Sequence, residues 1–480
     1  MRLLLALFLL ACLNISTTST PPRKGSPNIV LIFMDDLGYG DLSCYGALGY
    51  QTPNLDRLST EGVRFTNFLS AQAVCSASRA ALMTGCYPNR VGISGALMPY
   101  SKNGIHNDEV TIAELLKQKG YATSIVGKWH LGYQKQFLPL QHGFDEYLGI
   151  PYSNDMWPVG FDGKPATIEQ KMRYPTLPLI ENNDKIAELK TLDDQATLTT
   201  RYTERAVDFI KKNKKKPFFL YLPHSMPHVP IAVSTKFKGK SKQGLYGDVL
   251  MEIDWSVGEI LKTLKEIGVE DNTLVIFTSD NGPWLNFGNH AGSSGGLREG
   301  KGTSFEGGQR VPCIVRWKGV IPEGLICNKL SSTIDIFPTL AGLCGVALPK
   351  HKIDGVDILP LMKGNMEAIP RKYFYYYYRK NNLEAVRRDD WKLVFEHPGR
   401  TYEGYKVGND GFPGGANENN PVPFALYDLR RDPAERYDVQ ATYPDIVAEL
   451  QKVGELARED LGDDLTKRVG KNIRPSAVVE

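Results

Sequence analysis

The sequence predicts an α/β protein: a large, mostly parallel sheet flanked by helices, followed by a smaller C-terminal α+β domain on an antiparallel sheet. Three observations predict it. Four short apolar runs, each with the pattern of a strand buried on both faces, alternate with helical patterns over the first part of the chain. Each of these runs ends in charged or metal-capable residues. Further on, the pattern changes to short aromatic and β-branched segments with one amphipathic tail. The chain has 480 residues, and single cores stop growing at roughly 250–300. The reading divides it into a leader and tether (1–26), a main domain (27–365) and a C-terminal domain (366–480).

Taken in order, residues 1–12 carry Arg2, an apolar run and Ala11-Cys12, a pattern too short to span a membrane and consistent with an export signal. Leu9-Leu10-Ala11-Cys12 also resembles a bacterial lipobox, which makes Cys12 the expected point of lipid attachment. The expected location is therefore periplasmic, lipid-anchored or secreted. Asn28–Met34 forms the first strand and runs into Asp35-Asp36 and a glycine-rich turn. Cys75 stands just ahead of a helix expected over Ser78–Met83. Ala122–Val126 leads into Gly127-Lys128-Trp129-His130, and Pro217–Leu222 leads to Pro223-His224 with His228 beyond. Gly247–Ile267 places Val249, Leu250, Ile253, Val257, Ile260, Leu261 and Leu264 on one helical stripe. Thr273–Ser279 ends in Asp280-Asn281-Gly282, and Gly292–Gly308 is a glycine-rich loop containing Lys301. In the C-terminal part, Tyr373–Tyr378, Val386–Phe395 and Ala425–Asp428 read as strands of a small antiparallel sheet, with the helix Pro444–Leu461 packed on it. The connection Phe395–Phe424 is long enough to be functional or disordered.

The net charge of +3 is nearly balanced, so no nucleic-acid partner is expected. The seven cysteines form no disulfide framework, although one or two bridges would be compatible with an exported protein.

In parallel α/β sheets ligands sit outside the carboxyl ends of the strands, so the strand ends above point to one shared site. Asp35, Asp36, Asp280 and Asn281 offer only oxygen ligands. Three carboxylates brought together repel unless a cation lies between them, and oxygen-only ligation suits Ca²⁺ or Mg²⁺. Asp-Asp and Asp-Asn-Gly are also ordinary turn chemistry, but two such pairs at two strand ends argue for a centre. Arg79, Lys128, Lys301, His130 and His228 would surround an anion beside that metal.

The blocks NIVLIFMDDLGYGD, CSASRAALMTG, GKWHLG, HGFDEYLGIPYSND, PFFLYLPHSMPH, VIFTSDNGP and GKGTSFEGG stand in the order found in type I sulfatases, which the chain resembles over most of its length. The resemblance is closest to the arylsulfatase A and N-acetylgalactosamine-6-sulfatase branch, through IPYSND and the GKGT loop. It implies that a maturase oxidises Cys75 to formylglycine, whose hydrate is the nucleophile. Asp35, Asp36, Asp280 and Asn281 would hold Ca²⁺, with the modified Cys75 touching it. Arg79 and Lys128 would steady the formylglycine and the sulfate, and His130 would handle the diol proton. His228 and Lys301 would contact the ester oxygen and sulfate, with Ser153 lining the pocket. Ala77 stands where animal members carry proline, a form that resembles sulfatases matured by the oxygen-independent radical enzyme and points to a bacterial source. The expected substrate is a sulfated sugar or an aryl sulfate, with Asp155, Trp157, Trp284, Asn286 and His290 as candidate walls of the sugar subsite because they flank these blocks. Two alternatives stay open at this point: a phosphate or phosphonate monoester hydrolase of the same superfamily, and a non-catalytic glycan-binding lipoprotein.

Overall fold

The computed structural model describes residues 26–479; the leader, and with it Cys12, lies outside them. The elements that build the site are β1 (Asn28–Met34), α1 (Cys75–Thr84), β2 (Ala122–Val126), β3 (Glu146–Gly149), β4 (Phe218–Pro223), α2 (Gly244–Glu266), β5 (Thr273–Ser279) and β6 (Cys313–Arg316). The described residues form a ten-stranded sheet with β5, β1, β4, β2 and β3 side by side and parallel at its centre. Antiparallel strands extend it on both sides, with β6 next to β5 and Leu177–Glu181 next to β3.

The central strands are apolar throughout because both faces are covered. Along β1, Val30, Ile32 and Met34 enter one core, which includes the α2 stripe, while Ile29, Leu31 and Phe33 enter a second core on the opposite face. The period-2 alternation of side chains splits one hydrophobic run between two cores. In the register, Met34 is opposite Ser279 and Phe33 opposite Pro223, so the carboxyl ends of β1, β5 and β4 lie level at one edge.

The C-terminal part contains β7 (Tyr373–Tyr378), β8 (Asn382–Arg388), β9 (Trp391–Val394) and β10 (Ala425–Asp428), an antiparallel sheet in that order, with α3 (Pro444–Leu461) packed on it. The YFYYYY run is core rather than a surface strip: Phe374, Tyr376 and Tyr377 are fully buried with Leu450, Val453 and Ala457 of α3. Val386–Phe395 is not one strand but parts of β8 and β9, because Asp389 turns the chain with φ of 50°.

One other expectation is corrected. The α1 helix begins at Cys75, three residues earlier than the sequence pattern suggested, because Val74 already has the extended backbone of an N-cap. The six described cysteines are all unpaired thiols. The 395–424 connection is not structureless: His397–Thr401 and Asn417–Val422 pair as an antiparallel hairpin.

Candidate active site

The strand tips bring the sequence-selected residues together. Asp35 and Asp36 follow β1, and Asp280 and Asn281 follow β5. The Asp280 N–H donates to the Met34 carbonyl at 3.1 Å, and the Asp36 N–H donates to Asp280 Oδ1 at 3.1 Å. Lys128 follows β2 through Gly127, whose φ is 136° and where a Cβ would lie 1.9 Å from the Pro223 carbonyl oxygen. Only glycine fits that approach. Lys128 N–H then donates to the same Pro223 oxygen at 2.8 Å, which turns its side chain across the strand ends.

The carboxylates and cations interlock. Lys128 Nζ donates to Asp35 Oδ2 at 2.6 Å and to Ser153 Oγ at 3.0 Å. Arg79, fully buried on α1, donates to Asp280 Oδ2 at 2.8 Å and to the Lys128 carbonyl at 3.0 Å. Lys301 Nζ lies 2.7 Å from Asp36 Oδ1 and 3.5 Å from Cys75 Sγ, and Cys75 Sγ lies 3.7 Å from Asp35 Oδ1. Cys75 occupies the first turn of α1, where helix amides favour negative charge. The Ala77 N–H donates to the Gly95 carbonyl at 3.1 Å, a bond that a proline at this position could not make.

Two residues here, Asp36 and His130, have positive φ of 63° and 62°. Each costs about 1–3 kcal/mol, strain that concentrates at functional sites. His130 Nε2 faces the Leu97 carbonyl at 2.8 Å. A carbonyl only accepts, so Nε2 carries the hydrogen and the Nδ1 lone pair, which has no partner, is free. By the same reasoning His228 Nδ1, 2.6 Å from the Val229 carbonyl, carries its hydrogen, leaving Nε2 toward Asp36 Oδ2 at 3.5 Å.

Burial pushes the Cys75 thiol up to about 12 despite Lys128 and Lys301, so the unmodified thiol is protonated and inert at neutral pH. Burial, then the charges of Asp35 and Asp36, push Asp280 up to about 7 even against Arg79. Burial alone would raise Asp35 too, but Lys128, His228, Arg79 and Lys301 hold it well below the usual carboxylate range. Burial and then the Lys128 charge push His130 far below the ordinary imidazole value, so it is neutral. Burial and Lys301 lower His228 as well.

Ligand atoms of Asp35, Asp36, Cys75 and His228 lie within 4.8 Å of one another. Asn281 donates its amide to Asp36 Oδ1 at 2.7 Å and leaves its own buried Oδ1 without a partner. An orphaned amide oxygen, crowded carboxylates and an Asp280 pushed toward protonation fit a hard divalent cation with oxygen ligands.

Of the candidate subsite walls, Asp155, Trp284 and Asn286 line a cleft of about 510 Å³ that opens beside Lys301 and His228. Trp157 is fully buried in the main core and is not a wall. His290 does not line this cleft either: it closes the Leu285–His290 turn, where its Nδ1 faces Gly411.

Sequence reasoning missed how Lys301 is held. Tyr402 Oη donates to the Lys301 carbonyl at 2.5 Å, Arg400 reaches the same oxygen at 3.4 Å, and Glu299 accepts from the Tyr402 N–H at 2.9 Å. Asn154 similarly donates to the His228 carbonyl at 3.3 Å. The Tyr402 and Arg400 contacts join residues about a hundred positions apart, and no local pattern signals them.

Fixed cations around a buried, carboxylate-lined centre suit enzymes that cleave esters of tetrahedral oxyanions. The chain belongs to the sulfatase family: the Sulfatase description matches residues 27–346 and the C-terminal region of aryl-sulfatase matches residues 370–479. It is 39% identical over 456 residues to N-acetylgalactosamine-6-sulfatase of Canis lupus familiaris, covering 89% of this chain and 84% of that relative. It is 40% identical over 449 residues to arylsulfatase A of Bos taurus, covering 90% and 87%. The PsFucS1 sulfatase from Pseudoalteromonas sp. superposes with a TM-score of 0.80 at 30% identity, over 90% of this chain and 89% of that one. The protein is therefore a sulfuric ester hydrolase.

Proposed function

We propose that this sulfatase removes sulfate from sulfated carbohydrates, with Cys75 matured to formylglycine and a Ca²⁺ ion held by Asp35, Asp36, Asp280 and Asn281. The observation that supports it most is a buried Cys75, inert as a thiol, set among those carboxylates and within 3.5 Å of Lys301. In the hydrated form, residue 75 would supply an oxygen nucleophile and a second hydroxyl whose deprotonation expels sulfate. The cation would supply Lewis-acid neutralisation of the sulfate oxygens.

The protein's own groups do the rest. Arg79 and Lys128 fix the charge around residue 75 and the sulfate without reorganising, since both are fully buried and paired. The free Nδ1 lone pair of neutral His130 accepts the proton of the second hydroxyl. Lys301, held over the Trp284 ring at 4.5 Å, neutralises a sulfate oxygen on the side of the cleft. His228 carries its neutral hydrogen on Nδ1, so donation from Nε2 to the leaving oxygen would require the imidazolium, which burial and Lys301 oppose and Asp36 beside Nε2 favours. Ser153 keeps Lys128 in place from the far side.

Three further assignments belong to this reading: maturation by a dedicated maturase, export through the leader, and a division near residue 365. Among the described residues no helix is long and apolar enough to cross a membrane. The test is a screen of sulfated mono- and disaccharides for sulfate release by the matured enzyme. Turnover of at least one sugar sulfate, abolished in Cys75→Ala, is expected; release from aryl sulfates alone would overturn the carbohydrate assignment.

A further inference from the structure

Arg79 stands on α1 and Lys128 just past β2, whereas Lys301 stands within a glycine-rich loop, so its placement depends on what holds that loop. Two segments do. The hairpin that begins at His397 brings Arg400 and Tyr402 to the Lys301 carbonyl. Further along the loop, Ser304 Oγ donates to Glu384 Oε2 on β8 at 2.7 Å, and the Ser304 carbonyl accepts from Lys392 Nζ at 2.7 Å. His397, the first residue of the hairpin, places its Nε2 3.3 Å from the same Glu384 oxygen. Glu384 thus stands between the two segments that position Lys301.

That junction calls for a proton. His397 Nδ1 lies 2.6 Å from the Phe395 carbonyl, which only accepts, so Nδ1 carries the hydrogen of the neutral ring and Nε2 turns a lone pair toward Glu384. A buried carboxylate beside a lone pair is unfavourable, whereas a carboxylic acid can donate to it. Glu384 Oε1 has no partner. The charges that face Glu384 are Arg379 and Lys392, which favour its ionisation, and Asp463, which opposes it. Each has a partner of its own. Lys392 lies 2.7 Å from Glu435, Arg379 donates to Asn419 at 3.0 Å, and Asp463 lies 2.8 Å from Arg458. Tyr378, at the end of β7, faces Glu384 as a neutral phenol, because burial raises it. Burial, the largest influence on Glu384, raises it to about 7 even so, and burial lowers His397 to about 4. The proton therefore rests on Glu384 rather than on the ring.

We propose that Glu384 is a positioning residue for Lys301: as a neutral acid between Ser304 and His397 it clasps the glycine-rich loop to the hairpin, and its ionisation loosens that clasp. The inference rests on the role given to Lys301 above and adds a residue that touches neither the sulfate nor the cation. A carboxyl raised in the folded state lends stability that is complete below its unfolded value near 4.5 and is lost as pH rises through about 7. The clasp is therefore closed on the acid side and open on the alkaline side, the proton passing to solvent.

The experiment measures kcat/KM of the matured enzyme on 4-nitrophenyl sulfate at about pH 6 and about pH 8, one unit either side of the Glu384 value. Glu384→Gln copies the neutral acid, since its NH₂ group can donate both to the His397 lone pair and to Ser304 Oγ. Dividing variant by wild type cancels every group that titrates in both. The Glu384→Gln ratio should stay near unity on the acid side and rise toward roughly 10-fold on the alkaline side, the change one pH unit beyond a transition can produce. Ser304→Ala, which unties the loop without touching Glu384, keeps the test open should Glu384→Gln fail to fold. It should be slower than wild type by a similar factor of roughly 10 on the acid side and should equal wild type on the alkaline side. A purely structural role would move melting temperatures and leave the pH profiles parallel. Parallel profiles in both variants would overturn the inference and leave the role of Lys301 standing. Lys301→Ala, measured alongside, should lose roughly 10²–10³-fold at both pH values; an undiminished rate would overturn the role of Lys301 and the inference with it.

Discussion

Around Glu306, where the glycine-rich loop meets the C-terminal sheet, and around Asp35 and Asp280, at the strand tips, the protein buries carboxylates among arginines and lysines. Glu306 receives Arg310 at 2.6 Å, Arg387 at 3.1 Å, Lys392 at 3.3 Å and the Tyr376 hydroxyl at 2.6 Å, while its own N–H donates to Glu435 at 2.7 Å. Burial alone would raise its carboxyl, yet the three cations hold it well below its ordinary value. At the strand tips the same chemistry has the opposite result for Asp280, which is pushed up to about 7. Asn281 Oδ1 and Arg79 Nε are also left without partners there. The first cluster, with three cations around Glu306, joins two parts of the chain; the second, with its crowded carboxylates, is the one proposed to take a cation and an anion.

Removing the nucleophile breaks the comparison most sharply. Cys75→Ala should cost on the order of 10⁶-fold in kcat, the scale seen when a nucleophile is deleted. Its melting temperature should barely move, since alanine suits a helix start; a large drop would assign Cys75 to structure instead. Next, Glu306→Gln should do the reverse. Weakening a buried charge cluster costs roughly 3–5 kcal/mol, read as a lower denaturation midpoint. A chelator should then lower the melting temperature of wild type and Glu306→Gln by equal increments, because the proposed cation would sit in the other cluster. Unequal increments would mean that the two clusters are coupled.

The leaving group sharpens the account within the open cluster. His228→Ala should slow sugar sulfates by roughly 10²–10⁴-fold and nitrophenyl sulfate far less, since nitrophenolate leaves without a proton. Equal losses would make His228 a sulfate holder rather than an acid.

Most of what the comparison uses was legible in the sequence for a physical reason. Strands such as Asn28–Met34 and Thr273–Ser279 are apolar on both faces, so their boundaries coincide with the first polar residues, and these are the site residues. The long α3 pattern was readable for a similar reason, because a half-buried helix shows its stripe. What stayed hidden is carried by distant pairs. Glu306 meets Arg387 and Lys392, and Tyr402 holds Lys301, across about eighty to a hundred residues. Trp157 and His290 were chosen for proximity in sequence to catalytic blocks, and proximity in sequence does not fix which face a side chain takes.

A smaller effect concerns pH. Asp41, fully buried beside the strand tips, accepts from the Gly38 and Ser293 N–H groups and the Tyr246 hydroxyl, and burial pushes it up to about 7. A carboxyl raised in the folded state contributes stability that is complete below its unfolded value near 4 and is lost as pH rises through about 7, by up to roughly 4 kcal/mol. Glu306, lowered in the folded state, contributes stability that is lost on acidification instead. Melting temperature followed from pH 4 to pH 8, about the span set by those two values, should therefore fall less steeply with rising pH in Asp41→Asn than in wild type. Parallel curves would refute the assignment to Asp41.

The central claim is that residue 75 acts as an aldehyde hydrate, and peptide mass spectrometry joined to activity tests it most directly. Preparations matured to different extents are digested, the fraction of the peptide containing Cys75–Arg79 that carries an aldehyde at position 75 is measured, and sulfate release is measured on the same samples. The account predicts activity proportional to the aldehyde fraction and passing through zero. Full activity in a preparation whose residue 75 is entirely thiol would contradict it.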